Sequence, residues 1–258
     1  MTAERPIALV TGVGRRIGIA AGIVDGLADD GWDIAFSYWD GYESRMPWGP
    51  DTASHDELAS ALRAAGARAL AVPADFEQPD APAALLRTVN DELGPVRALV
   101  LCHAESVDSG ILDTTVESFD RHFAVNARAN WLLIRAFAEQ FAAGAAGAAL
   151  GRIVALTSDH TAHNLPYGAS KGALDRIVQA SAVELAPLGI TANLINPGPI
   201  DTGWMTPELA EALRAETALG RLGTPRDTAD LVSFLLSPDG GWMTGQLLHS
   251  NGGFHLPV

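Results

Sequence analysis

The sequence predicts one α/β domain built on a doubly wound parallel sheet of about seven strands, with helices on both faces. Three observations carry that expectation. Short apolar runs rich in β-branched residues recur along the chain: IALV (7–10), IAFS (34–37), RALAV (68–72), RALVLC (97–102), RIVALT (152–157), ITANLI (190–195) and QLLH (246–249). Each has the length of a buried strand. The segments between them carry apolar residues at helical spacing, as at Ile17, Ala20, Ala21, Val24, Leu27 and Ala28, or Leu85, Leu86, Val89 and Leu93. Such strand–helix alternation marks a parallel sheet covered on both sides. Finally, 258 residues without an internal repeat or a Pro/Gly-rich linker suit a single unit.

Taken in order, the first strand runs into TGVGRRIG (11–18) and then a helix, and the second into DGYESRMPWGPDTASH (40–55). Gly, Pro, Tyr42 and Trp48, close to Trp39, make that stretch an expected surface loop. The third strand leads to PADF with Asp75, and the fourth to LCHAES (101–106). AAGAAGAALG (142–151) reads as a helix end and turn before the fifth strand. That strand gives way to the loop DHTAHNLP and a helix over YGASKGALDRIVQASAVEL.

The composition narrows the functional classes. Hydrophobic residues make up 48% and charged residues 19%, which is ordinary globular usage. A net charge of −14 repels phosphates, so nucleic acid and anionic membranes are not expected partners. Arg15-Arg16 is the basic cluster of note. A single cysteine, Cys102, allows no intrachain disulfide and fits a reducing compartment. The N-terminal stretch carries Glu4 and Arg5 and only a four-residue apolar run, too short for a signal-peptide core. A cytoplasmic, soluble protein is expected.

A strand-to-helix turn approaching a pyrophosphate needs residues without side-chain bulk, and the helix N-terminus supplies N–H donors. Gly12 and Gly18 suit that task. With YGASK downstream, TGVGRRIG resembles the short-chain dehydrogenase/reductase family, whose motifs are TGxxxGxG and YxxxK. FAVNARAN (123–130), NPGPIDT (196–202) and the tail GRLGTPRDTADLVSFLLSPDGGWMTGQLLHSNGGF (220–254) extend the resemblance over nearly the whole chain. It implies a Rossmann-like domain, a nicotinamide cofactor held mainly by residues 1–150, and a catalytic and substrate part over 151–258.

The resemblance implies cofactor contacts from Gly12, Gly14, Arg15, Arg16, Ile17 and Gly18, from Tyr38, and from Asp75 and Phe76. Pro197, Gly198, Ile200 and Thr202 are implied at the nicotinamide. Arg16 stands at the family's middle glycine, as in relatives of pteridine reductases. Arg15 matches the position that holds a 2′-phosphate, and Tyr38 stands where NAD-preferring members place an acid. NADP is therefore preferred, with NAD left open by nearby Asp40. LCHAES replaces the family's Asn-Asn-Ala-Gly with Cys102, His103, Ala104 and Glu105, altering either the cofactor wall or the support behind it.

Tyr167 and Lys171 lie one helical turn apart, on one face. A free phenol titrates at about 10, and a nearby ammonium favours its phenolate, so Tyr167 suits a general acid or base. Ser158 is placed to hold a substrate oxygen as charge develops. The resemblance implies that Tyr167 and Lys171 also contact the cofactor, Lys171 at the nicotinamide ribose, and adds Asn126, which organises a water leading to the lysine. From Ser158 to Tyr167 is nine residues, about four fewer than the family implies. The shortening is assigned to the loop, because loops tolerate deletion, and should leave that side of the cleft more open. Thr157 and Thr161 are the fallback hydroxyls. His160 and His163 read as solvated or substrate-facing, not as metal ligands. WMTPELAEALRAE (204–216) is expected as a lid, with Trp204 and Met205 facing substrate or core.

The expected function is NADP-dependent hydride transfer between nicotinamide and a carbonyl or secondary alcohol. The tail points to the 3-oxoacyl-acyl-carrier-protein reductase-like branch, with Arg128 and Arg135 as basic residues for an acidic acyl-thioester carrier. A small-molecule ketone, sugar or pteridine reductase, or an inactive nucleotide-binding regulator, are the alternatives. A homotetramer or dimer is implied, supported by VSFLL (232–236) and QLLH.

Overall fold

A computed structural model describes residues 5–50, 54–144 and 150–255. Seven strands form one parallel sheet: β1 (Ile7–Thr11), β2 (Asp33–Tyr38), β3 (Ala69–Pro73), β4 (Val96–Leu101), β5 (Gly151–Leu156), β6 (Ile190–Asn196) and β7 (Leu247–His249). All seven coincide with the apolar runs. Their spatial order is β3-β2-β1-β4-β5-β6-β7, so the chain reverses direction of travel between β1 and β4. Ligands in open α/β sheets bind outside the strand C-termini at such a switch point.

Alternate residues of each central strand feed two cores, as the two-residue period of a strand requires. Leu9, Leu99, Leu101, Ile153 and Ala155 pack against α4 (Ala81–Glu92), α6 (Ala129–Ala142) and α7 (Leu165–Glu184) through Leu86, Leu133 and Leu174. Val10, Val100, Val154 and Leu156 point to the other side, against α1 (Ile19–Asp29), α3 (Ser54–Ala64) and α9 (Pro225–Leu236). Both faces are dry, which explains why the strands read as unbroken apolar runs. Within VSFLL, Val232, Leu235 and Leu236 are buried in this second core, leaving Phe234 partly exposed.

Two local features differ from expectation. The 40–55 stretch is not simply a surface loop: Asp40–Glu43 forms a helical turn, α2, and buries Glu43, while residues 51–53 lie outside the described residues. Asn126 lies in a π turn, Ala124–Arg128, between α5 (Val116–Phe123) and α6. Part of the 142–151 turn also falls outside the described residues. Among those described, no helix is long and apolar enough to cross a membrane.

Candidate active site

The turn after β1 is built around close backbone approach. Gly12 has φ +79°, and a Cβ there would lie 2.5 Å from His103 Cα, so β1 and the chain leaving β4 meet backbone to backbone. Gly18 N–H closes the turn onto the Arg15 carbonyl at 3.0 Å. Helix α1 then begins with Gly18 as N-cap, with no capping side chain and no acidic residue in its first turn. Its free N–H groups and positive dipole end suit an anionic ligand, so these residues fit a dinucleotide phosphate.

The remaining cofactor candidates divide into three groups. Arg15 lies over the Trp48 ring at 4.4 Å, and Tyr38 stacks on His55 at 3.7 Å. Asp75, just beyond β3, accepts from the Glu77 N–H at 3.0 Å. Gly198 has φ +66° and donates to Asn196 Oδ1 at 3.1 Å; beside it Pro197 is partly buried and Thr202 buried. Gly14 lies against the Glu43 carboxylate. Arg16 is drawn along α1 into an exposed ion pair with Asp25 at 2.6 Å, and the Phe76 ring is a core group packed on His103 at 4.2 Å. Ile200 is also buried, its Cδ1 beneath Gly223, whereas Ile17 is exposed.

His103 turns out to be a strut behind the crevice. Its Nε2 faces the Val125 carbonyl at 3.1 Å, so that nitrogen carries the proton and donates. Nδ1 then accepts from the Thr11 hydroxyl at 2.7 Å, while Thr11 Oγ1 accepts from the Cys102 N–H at 3.1 Å. The ring thus joins the ends of β1 and β4 to the π turn. Burial, and secondly the Lys171 charge, push its pKa down to about 3. Burial pushes the Cys102 thiol up to about 12, which keeps it an inert neutral group.

Asn126 is fully buried and clamps the next residues. Its Oδ1 accepts from the Glu105 N–H at 2.7 Å, and its Nδ2 donates to the Glu105 carbonyl at 2.8 Å and Ser170 Oγ at 2.9 Å. The π turn widens the helix enough to aim this amide sideways at the loop after β4 and at α7.

Ser158, Tyr167 and Lys171 converge. Tyr167 and Lys171 share a face of α7, with Nζ 5.7 Å from the phenol ring centre, and the Ser158 hydroxyl lies near enough to the phenol to favour its ionised form. Lys171 is buried and donates to the Leu156 carbonyl at 2.8 Å. Burial lowers its pKa to about 8. The same burial raises Tyr167 to about 12, against the lowering by Ser158, so the expected depression of the phenol does not arise among these groups. Desolvation outweighs a lysine that points past the ring to a carbonyl. Thr157 is not available as a fallback hydroxyl, since it donates to Asp175 Oδ1 at 2.5 Å, and Thr161 is exposed.

The short loop folds back on the start of α7. A Cβ on Gly168 would sit 2.2 Å from the His160 carbonyl oxygen, so the loop takes this path because residue 168 is glycine. Asn164 ties the helix start to the loop after β4, donating to Asp108 Oδ1 at 2.6 Å. His255 donates to Asp159 Oδ2 at 3.1 Å, tying the C-terminal segment to the start of this loop. Neither Asn164 nor Gly168 stands out in the sequence. His160 and His163 are exposed, and among the described residues no three His, Cys, Asp or Glu side chains group as metal ligands.

Trp204 is half exposed and Met205 partly buried at the approach to α8 (Pro207–Glu216), which has no buried residue. Arg128 donates to the Glu77 carbonyl at 2.5 Å. Arg135 is misplaced for carrier docking at the cleft. It pairs with Glu139 and shares a groove with Glu184 and Leu188, at the opposite end of α7 from Tyr167.

Comparison with known proteins agrees with this geometry. A family model described as enoyl-(acyl carrier protein) reductase matches residues 12–255. The chain is 36% identical over 255 residues to the uncharacterized oxidoreductase YjdA of Bacillus subtilis, covering 97% of each. It is 35% identical to an NADPH-dependent aldehyde reductase-like chloroplastic protein of Arabidopsis thaliana, covering 96% of this chain and 93% of that one. Among solved structures, a blue fluorescent protein from a metagenomic library in complex with NADPH superposes with a TM-score of 0.84 at 32% identity, covering 99% of this chain and all of the other. A short-chain dehydrogenase of Burkholderia cenocepacia in complex with NADP gives 0.83 at 31%, covering 96% and 97%. The crevice at the β1/β4 switch point, the converging serine, tyrosine and lysine, and these full-length similarities place the chain in the short-chain dehydrogenase/reductase family of oxidoreductases.

Proposed function

We propose that the chain is an NADP-dependent oxidoreductase that interconverts a carbonyl compound and its secondary or primary alcohol. The observation that carries this reading is the convergence of the Ser158 hydroxyl, the Tyr167 phenol and the Lys171 ammonium beside a glycine turn with an uncapped helix N-terminus. A nicotinamide bound there supplies or accepts the hydride. Tyr167 holds the proton that goes to the carbonyl oxygen in reduction and takes it back in oxidation. At a pKa of about 12 the phenol is fully protonated at neutral pH, the form that reduction needs. Ser158 orients that phenol and shares the oxygen's developing charge. Lys171, charged below about pH 8, stabilises charge on the phenol oxygen as the proton leaves. Asn126 acts as a positioning residue through Glu105.

Arg15 favours NADP, because it has an aromatic partner and can face a phosphate, whereas Tyr38 offers no carboxylate to ribose hydroxyls. Both superposed neighbours named above carry the phosphorylated nucleotide. A small aldehyde or ketone fits better than a carrier-bound 3-oxoacyl thioester, since Arg135 lies away from the cleft. Self-association is part of the proposal, supported by exposed Trp131, Val183 and Trp242. The test is titration with NADPH and NADH by protein fluorescence, followed by cofactor oxidation against aldehydes, ketones and acetoacetyl thioesters. NADPH binding more tightly, with turnover of an aldehyde or ketone, supports the reading; binding of neither nucleotide refutes it.

A further inference from the structure

Beyond β2 the chain does not leave the crevice but runs across it. Tyr42 brings its hydroxyl within 3.5 Å of the Ser106 carbonyl after β4, and Arg45 pairs with Glu105 at 2.7 Å and approaches Glu77 after β3 at 3.7 Å. Glu43 reaches the turn after β1. It is 7% exposed and lies so close to Gly14 that a Cβ there would be 2.2 Å from its Oε1. The Trp48 indole donates to the Glu43 carboxylate, and the Trp48 ring carries the Arg15 guanidinium. One ten-residue segment, 39–48, therefore bridges the loops after β1, β3 and β4, which are the walls of the switch-point crevice.

The charges give this arrangement a direction. Glu43 places a carboxylate against a glycine turn whose helix end has no other acidic group, the position that favours an anion. A second anion brought to the same turn meets like charge in a partly desolvated place. Arg15, the cation suited to a phosphate, is meanwhile held on Trp48.

We propose that residues 39–48 form a strap over the dinucleotide crevice and that Glu43 is its latch, an internal anion that a dinucleotide phosphate displaces. Displacement breaks the indole bond to Glu43, releases Arg15 from Trp48 and opens the Arg45–Glu105 pair. The inference rests on the cofactor reading above, and it adds that binding is limited by opening of this segment. An opening step reduces apparent affinity by the fraction of open molecules, so weakening the latch should tighten binding.

NADPH binding is to be followed by stopped-flow protein fluorescence and by calorimetry for the wild type, Glu43→Gln and Trp48→Phe. The wild type should show an observed rate that saturates with NADPH concentration. Glu43→Gln should bind about tenfold tighter with a higher plateau, and Trp48→Phe, which keeps a ring for Arg15 but loses the indole donor, should shift the same way. Unchanged affinity and rates in both variants would overturn the strap alone. Weaker binding by Glu43→Gln would also overturn it, by making Glu43 a cofactor ligand. If no form binds NADPH or NADH, the cofactor reading fails and the inference with it. As a second readout, trypsin cleavage after Arg45 should rise with NADPH; protection there contradicts opening.

Discussion

Replacing His103 should change how the fold responds to acid. Both ring nitrogens are committed to a neutral imidazole, Nε2–H donating to Val125 and Nδ1 accepting from Thr11, inside a buried site. The folded-state pKa is depressed to about 3, whereas an unfolded histidine titrates at about 6.5. Between these values the unfolded chain binds a proton that the folded chain refuses. Stability from this group is therefore complete above about pH 6.5 and falls by about 1.4 kcal/mol per unit as pH drops below it. At pH 5 the loss is about 2 kcal/mol. His103→Asn removes the titrating group and keeps a donor and an acceptor. Urea unfolding of both proteins at pH 7.5 and pH 5 isolates the effect: the variant should lose about 2 kcal/mol less over that interval, whatever its starting stability. Parallel losses would refute the strut assigned to His103.

Other substitutions test the rest of the site. Gly168→Ala puts a methyl into the His160 carbonyl, so it should lower stability by about 1–3 kcal/mol and cut kcat by moving Ser158, as thermal melts and turnover would record. Carbonyl reduction should fall above about pH 8, since Lys171 holds its proton below that value and loses it above; a flat profile to pH 10 would contradict its role. Arg15→Ala should weaken NADPH by about tenfold or more and leave NADH nearly unchanged in fluorescence titration.

The strands were legible because a sheet buried on both faces leaves continuous apolar runs, and their connection through helices made the sheet parallel. Tyr167 and Lys171 were legible for a similar reason, since one turn of a helix puts them on a shared face. What the sequence concealed depends on contacts between distant segments. Nothing in YESRMPW shows that Glu43 is buried against Gly14, because each residue alone suits a surface loop. The change from Asn to His103 looked as able to reshape the cofactor wall as to support it, and only its bonds to Thr11 and Val125 distinguish the two. The directions in which the Arg16 and Phe76 side chains turn were hidden too, because a motif position does not specify them; Asp25 and His103 decide that. The phenol's direction of shift was misjudged because desolvation depends on burial, which the four-residue spacing does not report.

The most direct test of the central claim is turnover by Tyr167→Phe on a verified carbonyl substrate, with NADPH binding measured on the same preparation. Losing the proton donor while keeping the ring should reduce kcat by about 100- to 10,000-fold and leave NADPH affinity within about twofold. Unaltered turnover with normal NADPH binding would contradict the acid/base role of Tyr167 and the account built on it.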